Sequence, residues 1–475
     1  MLESTGESMR EMWASGAEKA IKEGDLVEAT FVRDYLASTD GASFWVAESQ
    51  ELGVVGCVGL KRKGLHDGEL VRMAVSEQSR GKRIGQMLVG ALEAHCAEHD
   101  IRRVHLITAN MRAASFYAKK CGFSLTHGFP YSTPSGVTLT VSKMTKFLRL
   151  EEPIRTVTIV GGTHGNERIG IELVESFFRD PAPFSRPSLK VTAVLGNPAA
   201  AAKNVRFIDL DLNRQFAAPA EAESCLEAAR ARELLQQLGP KSASKASATD
   251  FVIDLHSTTA NVGLVTMLSA AEGCDPMGLY VASKIGARLL PESLSQSHRL
   301  TTTEGTKADS WSVDSISRSG IAIEAGPLAH GTLGARLYLQ TRQMVMAALD
   351  VLEERNAGLA AGRVDLAPSA FPLQEVYTQV KTIEYPAQQG FAIHPDLEDD
   401  CQNFRLIRHG DPAFISTDGK GTVLPFVHPS APSDGSPSAA PLSDLYTMFV
   451  NEASYRERNI AFAVYEKKLK PVLFV

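Results

Sequence analysis

Three side chains in this sequence could do chemistry together. In "TVTIVGGTHGNERIG" (Thr156–Gly170), His164 and Glu167 stand three residues apart in a glycine-rich turn that follows an apolar, strand-like run. In "DFVIDLHSTTANVG", His256 closes a second such run. Imidazole nitrogens and a carboxylate are zinc ligands, and a catalytic zinc takes three protein ligands of this kind and keeps a fourth position open. Such an ion acidifies water and polarises a carbonyl, which is what hydrolysis of a stable amide requires. The C-terminal ends of strands are also where α/β sheets place their ligand sites. A lone His-x-x-Glu is a common accident. Two strand ends carrying His/Glu and His make zinc the expected ligand.

A second group is short and basic. After the run "ELVRMAV" comes "SEQSRGKRIGQML", in which Arg80, Gly81, Lys82, Arg83, Ile84 and Gly85 lead into a helix. Backbone N–H groups at a helix N-terminus bind phosphate, and flanking cations add to the attraction. The spacing is neither GxxxxGK[ST] nor GxGxxG, which excludes a Walker A loop and a dinucleotide fingerprint. Residues 101–150 contain eight basic residues and no acidic one, a balance that suits an anionic cofactor.

The elements that must position these groups fall into two series. Residues 1–40 read as helical. Strand-like runs follow at "SFWVAE", "GVVGCVGLKR" and "ELVRMAV", then a helix from about Ile84 to His99, a strand "RVHLIT", a helix around "RAASFYAKKC" and a strand "GVTLTVSK". The segment "KFLRLEEP" is the seam. Beyond it "TVTIV", "KVTAVLG", "DFVIDLH" and "GIAIEAG" alternate with helical stretches, a pattern that predicts a mostly parallel, helix-covered sheet. A helix over roughly Leu333–Glu354 closes this series, and from about Asp365 the chain turns β-rich and is expected to form a third unit. Two low-complexity patches, "GPKSASKASATD" and "HPSAPSDGSPSAAPLSD", read as surface loops.

Composition narrows the partners. The chain has 475 residues, 44% hydrophobic and 22% charged, with net charge −6. Residues 1–150 carry 19 Lys/Arg against 17 Asp/Glu (+2) and the remainder 30 against 38 (−8), which argues against a nucleic-acid binder. The six cysteines (Cys57, Cys96, Cys121, Cys225, Cys274, Cys401) are scattered without a CxxC, so neither a disulfide framework nor a cysteine-held zinc is expected. The start, "MLESTGESMREMWASG", has no apolar h-region, and no apolar run approaches the ~20 residues of a bilayer span. The expectation is a cytoplasmic protein of small-molecule chemistry, with no nucleic-acid and no membrane partner.

Further along, "NMRAASFYAKKCGF" supplies Asn110, Ala113, Tyr117, Gly122 and Phe123. With the Arg80–Gly85 loop, in the same order and spacing, it resembles the GNAT N-acetyltransferases, most closely the branch that acetylates aspartate or cysteine S-conjugates. The resemblance covers residues 25–145 and departs at Arg83, where that branch usually has glycine. It implies a mixed sheet flanked by helices over residues 1–148 and acetyl-CoA as cosubstrate, held by Arg80–Gly85 and Asn110. Tyr117 resembles the family's acid for the leaving thiolate. Glu69, at the start of the strand beside the cofactor, is the candidate base. An α-amine titrates near 8 and a thioester is already activated, so this chemistry asks chiefly for proximity and a modest base.

The second series carries "GGTHGNE", "RFIDLDLNR", "DLHSTTAN", "GIAIEAGPLAHGTL" and "FVNEASY" in the order of the aspartoacylase family, within the zinc carboxypeptidase-like fold. The resemblance covers residues 154–470. It implies an α/β amidohydrolase domain over residues 154–364, a β-rich subdomain over 365–475, and one zinc ion on His164, Glu167 and His256. By the same resemblance Arg206 polarises the scissile carbonyl, and Asn213 and Arg214 hold the substrate carboxylate. Glu324 is the general base, and Tyr455 contacts the substrate. The family tends to assemble, so a homo-oligomer is expected.

The aspartate-selective branch carries an arginine ten residues before the catalytic glutamate. Here that position is Asp314. The spelling of "RARELLQQLGPK", "DLHSTTAN" and "VDSISRSG" resembles the sister branch that deacylates N-acyl aromatic amino acids and mercapturates. The leading expectation is a bifunctional enzyme that acetylates one amine and deacylates N-acyl amino acids. Alternatives are an N-acetylaspartate-specific deacylase, and a deacylase whose N-terminal domain only senses acetyl-CoA.

Overall fold

The computed structural model describes residues 43–49, 51–63, 67–99, 101, 103–132, 138–148, 152–216, 225–239, 249–269, 275–289, 298–303, 312–361, 373–387, 390–398, 404–432 and 442–471. The helix expected over residues 1–40 and most of both low-complexity patches lie outside these residues. The chain divides into two compact units, with the break between Glu152 and Pro153, inside "KFLRLEEP".

The first unit is a six-stranded sheet in the order β1-β2-β3-β4-β6-β5. Its strands are β1 (Ser43–Ser49), β2 (Gly53–Arg62), β3 (Asp67–Val75), β4 (Arg103–Thr108), β5 (Ser124–Ser132) and β6 (Thr138–Phe147). Only β3 and β4 pair in parallel, and their ladder runs just from Asp67–Glu69 against Arg103–His105. Beyond that the strands part. Strand β3 leads through residues 76–83 into α1 (Ile84–Glu98). A second helix, α2 (Met111–Cys121), follows β4. The core is formed by Val58, Leu60, Leu88, Leu92, Val104, Phe123 and Met144, the inward positions of strands and helices read from period 2 and period 3.6.

The second unit is built on a ten-stranded sheet. Its first half contains β7 (Thr156–Gly161), β8 (Lys190–Leu195), β9 (Phe251–Ser257), β10 (Gly263–Ser269), β11 (His298–Thr303) and β12 (Ser319–Gly326). The order β8-β7-β9-β12 is parallel throughout, β12–β10 is antiparallel, and β10–β11 is parallel again. Strand β9, "FVIDLHS", is buried along its whole length, as a central strand covered on both faces should be. Helices α3 (Arg168–Arg179), α4 (Pro198–Lys203), α5 (Leu226–Leu238), α6 (Pro276–Arg288) and α7 (Ala335–Ala360) accompany it. The long α7 runs further than the Leu333–Glu354 expected.

The β-rich C-terminal segment does not stand as a third unit. Strand β13 (Leu373–Glu384) pairs in parallel with β11 and antiparallel with β19 (Ile460–Pro471), so it continues the same sheet. Between them come β14 (Phe391–Ile393), β15 (Leu406–Ile407), β16 (Pro412–Ser416), β17 (Val423–Pro425) and β18 (Leu445–Met448). Of these, β18 and β15 extend the large sheet, while β14, β16 and β17 form a small one. Two long strands have too many backbone hydrogen-bonding groups to leave at an open edge, and sheet continuation satisfies them. Among the described residues no helix is long and apolar enough to cross a membrane.

Candidate active site

His164 and Glu167 sit in the turn between β7 and α3. Two glycines shape it. Gly162 has φ +69°, a left-handed value that a side chain strains. A Cβ on Gly165 would lie 2.1 Å from the carbonyl carbon of Ala200, so only glycine lets the turn lie against α4. Glu167 occupies the N-cap of α3 without capping it by its side chain. Its carboxylate turns instead toward the histidines, near the positive end of the helix.

His256 projects from the end of β9. The three residues bring one ligand atom each within 4.8 Å of one another, and all are buried. The hydrogen bonding is reciprocal. His164 Nδ1 lies 2.7 Å from Glu167 Oε1 and His256 Nδ1 lies 2.9 Å from Glu167 Oε2. The opposite ring atoms each meet an aspartate, His164 Nε2 at 3.1 Å from Asp211 and His256 Nε2 at 2.8 Å from Asp254. With Nε2–H given to an aspartate, each Nδ1 lone pair and the same carboxylate would be available to a shared cation. Outer carboxylates on the non-ligating nitrogen are also what metal-bound histidines ordinarily carry. The donor set therefore fits zinc.

The carboxylates that would orient the ligands also draw a proton onto His256, which a metal ion would displace on binding. Burial would lower the His256 pKa, but the Asp254 and Glu167 carboxylates outweigh it and hold the ring well above its ordinary value. Burial opposes ionisation of Glu167 too, yet His164 and His256 keep it well below the carboxylate range.

Glu324 stands directly opposite His256 in the parallel β9–β12 register. Burial pushes its carboxyl up to about 8; Glu167 and Glu452 add to the rise, against His256 and Arg206. Arg206 donates to Glu167 at 3.1 Å and to Asp211 at 3.5 Å. Asn213 places its amide nitrogen 3.3 Å from His256 Nε2, while its oxygen accepts from the Val313 N–H at 3.2 Å. Arg214 follows Asn213 and lies close enough to Tyr455 to oppose the effect of burial, which pushes that phenol up to about 12. The structure thus brings Arg206, Asn213, Arg214, Glu324 and Tyr455 around the His164–Glu167–His256 cluster. Asp314, next to Val313, is buried, and its carboxylate accepts a hydrogen bond from the Ser312 hydroxyl.

Several functional neighbours escaped sequence reasoning. Asp254 was readable, because residues two apart on a strand share a face. Asp211 carries the Asp-x-Asn signature of a capped turn and bonds the Asn213 N–H. Glu452 and His330 gave no such signal. Glu452 caps the helical turn Ala453–Arg456, accepts from the Thr258 and Thr259 hydroxyls, and lies 3.6 Å from His330. It ties the turn that carries Tyr455 to the loop after His256.

In the first unit the loop after β3 is a 3-10 turn, Glu77–Ser79, followed by Arg80–Arg83, all four of them exposed. Gly81 has φ +82° and Arg83, the N-cap of α1, has φ +62°. Arg83 thus adopts the left-handed conformation a glycine would take freely, at a cost of roughly 1–2 kcal/mol. Gly85 permits close packing, since a Cβ there would lie 2.8 Å from Phe116. The oxygen of Asn110 caps α2, accepting from the N–H groups of Arg112 and Ala113. Glu69 is paired with Lys63 at 2.8 Å. Tyr117 is a core residue packed edge-on against Phe116 and Phe123, and burial raises its phenol strongly.

Residues 153–352 match the succinylglutamate desuccinylase/aspartoacylase catalytic domain, and residues 7–123 match the acetyltransferase (GNAT) family. The N-acyl-aromatic-L-amino acid amidohydrolase (carboxylate-forming) of Rattus norvegicus is 33% identical over 325 residues, 66% of this chain and 92% of that protein. The chain belongs to the aspartoacylase family. The aspartoacylase of Rattus norvegicus is equally similar, 33% over 322 residues, 66% of this chain and 93% of its own. Murine aminoacylase 3 superposes with a TM-score of 0.56 at 31% identity, over 68% of this chain and 99% of that structure. This member of the aspartoacylase family couples a deacylase-type domain to a GNAT domain. The matched interval holds every residue of the cluster except Tyr455.

Proposed function

We propose that the protein is bifunctional, an acetyl-CoA-dependent N-acetyltransferase joined to a zinc-dependent deacylase of N-acyl amino acids. The hydrolytic half rests on one observation: the Nδ1 atoms of His164 and His256 converge on the Glu167 carboxylate at 2.7 and 2.9 Å, and Glu324 stands opposite His256 in the sheet register. His164, Glu167 and His256 would hold one zinc ion per chain, as the family generally does. Such an ion supplies Lewis acidity toward the acyl carbonyl and lowers the pKa of water. Arg206 donates to the carbonyl oxygen as negative charge grows on it. Asn213 and Arg214 grip the α-carboxylate, the arginine by its planar fork, and Tyr455 closes on the substrate. Glu324 takes a proton from the attacking water and delivers it to the leaving nitrogen as the C–N bond breaks, so that a carboxylate and an amine leave. Its raised proton affinity suits both transfers.

The substrates in this reading are aromatic or S-conjugated N-acetyl amino acids. The two rat relatives do not separate the branches, being equally identical. Asp314 supports the choice: facing the pocket, a carboxylate there would meet a second substrate carboxylate with repulsion of about 4 kcal/mol at ~4 Å and an effective dielectric of ~20, where the aspartate-selective branch has attraction. A kcat/KM higher for N-acetylaspartate than for N-acetylphenylalanine or a mercapturate overturns this choice, and chelator-insensitive hydrolysis overturns the zinc assignment.

In the first unit, acetyl-CoA would lie with its pyrophosphate on Arg80–Gly85. The engagement of Glu69 with Lys63 and the deep burial of Tyr117 favour a second reading, in which this domain binds acetyl-CoA without turning it over. Thiol release on addition of an amino-acid and S-conjugate panel separates the two. A homo-oligomer is part of the proposal, to be read by sedimentation.

A further inference from the structure

The last turn of α1 carries "HCAEH", with His95 and His99 one helical turn apart and Glu98 beside them. Their rings stack with centroids 3.9 Å apart and planes 25° from parallel. Each of the three residues offers a ligand atom within 4.8 Å of the others. We propose that His95, Glu98 and His99 form a second binding site for a divalent transition-metal ion, in the first unit and separate from the deacylase centre.

Three further observations support it. His99 Nδ1 lies 2.9 Å from the His95 carbonyl oxygen. A carbonyl only accepts, so Nδ1 carries the proton and Nε2 keeps its lone pair, the tautomer fixed as it is in metal-bound histidines. His95 Nε2 lies 3.1 Å from the Ser43 hydroxyl. A serine that accepts there leaves Nδ1 of His95 as the lone-pair atom, and Trp45, edge-on at 5.1 Å, packs against that ring. Finally, the site lies at the C-terminal end of α1, the end of a helix that favours a cation. The Arg62 guanidinium already reaches the His99 carbonyl at 3.4 Å.

Two imidazoles and one carboxylate select zinc, nickel or copper over calcium or magnesium, whose preference is for oxygen alone. Burial and the neighbouring His99 lower the His95 pKa, which favours the neutral ring a metal needs. An ion here would clamp the end of α1 to itself, at the far end of the helix from the Arg80–Gly85 loop.

The test is a metal count on the full chain, stripped with a chelator, dialysed against Zn2+ and assayed by elemental analysis. His95→Ala/His99→Ala should lose one ion relative to the parent protein, with deacylase activity retained as the sign that the second unit is intact. His256→Ala should lose a different ion, and the combined variant both. His99→Ala alone, at an exposed position, gives the same loss with the least risk to folding. Ser43→Ala should weaken the α1 ion by roughly 10–100-fold, the usual cost of an outer partner. A zinc count that does not respond to His95 and His99 overturns the proposal.

Discussion

The two candidate active sites of this protein are built in opposite ways. The deacylase site is buried and made of side chains: two imidazoles share one carboxylate, two further aspartates hold their outer nitrogens, and an arginine bridges Glu167 to Asp211. The candidate acetyl-transfer site is an exposed loop whose useful groups are backbone N–H and two exposed cations, Lys82 and Arg80, the latter 4.0 Å from Glu77. The proposed reactions would explain the contrast. Hydrolysing an amide needs charges fixed in advance in a dry site, where they count for most. An amine attacking a thioester needs its partners held close together, and a backbone cradle suffices. Difficulty of chemistry has been translated into burial.

Four results would sharpen or break this contrast. The largest effect belongs to Glu324→Gln, which should cut kcat for deacylation by about 10²–10⁴-fold, the usual worth of a general base, while leaving thiol release from acetyl-CoA untouched. Loss of both activities would mean the sites are not independent. Next, Arg206→Ala should cost roughly 10²–10³-fold in kcat, as removal of an oxyanion donor does. An effect confined to KM would make Arg206 a binding residue only. Third comes a pH effect on the metal-stripped protein. The folded-state pKa of Glu324 is raised from 4.5 to about 8, so the stability it contributes is fully present below about 4.5 and is lost as pH rises through about 8. Chemical denaturation of the stripped chain should show its midpoint falling between pH 5 and 8, and Glu324→Gln should flatten that fall. The smallest effect is expected from Arg80→Ala with Lys82→Ala. Exposed charges contribute about 0–1 kcal/mol each, so the KM for acetyl-CoA should rise several-fold, steeply dependent on salt, with deacylation unchanged.

Much of the buried site was legible before any fold was known, for reasons that lie in the residues themselves. His164, Glu167 and His256 announce themselves because strand ends with paired glycines leave little else for such side chains to do. Glu324 follows from motif order, and its register opposite His256 gives it a physical reason. The exposed site was less legible in detail. Glu69 and Tyr117 were chosen by position along the chain, but an ion pair with Lys63 and a place in the core depend on which neighbours the fold delivers. Asn110 turned out to cap a helix. The C-terminal segment was read as β-rich but not as a continuation of the large sheet, because strand composition does not say which edge a strand will join. Glu452 was invisible for the same reason. Its partners Thr258 and Thr259 are more than 190 residues away in sequence.

That last link bears on how the molecule comes into being. Tyr455 reaches the site on a turn pinned by Glu452, and the strand that follows, β19, lies inside the sheet between β13 and β18. A ribosome must therefore have made the chain to about Pro471 before the deacylase-type pocket can close. The described strands of the N-terminal unit have no such wait. During synthesis the six-stranded sheet, complete by Phe147, can form while the second sheet is still unfinished. A chain terminated before that turn would keep its three candidate metal ligands without the turn that completes the pocket around them.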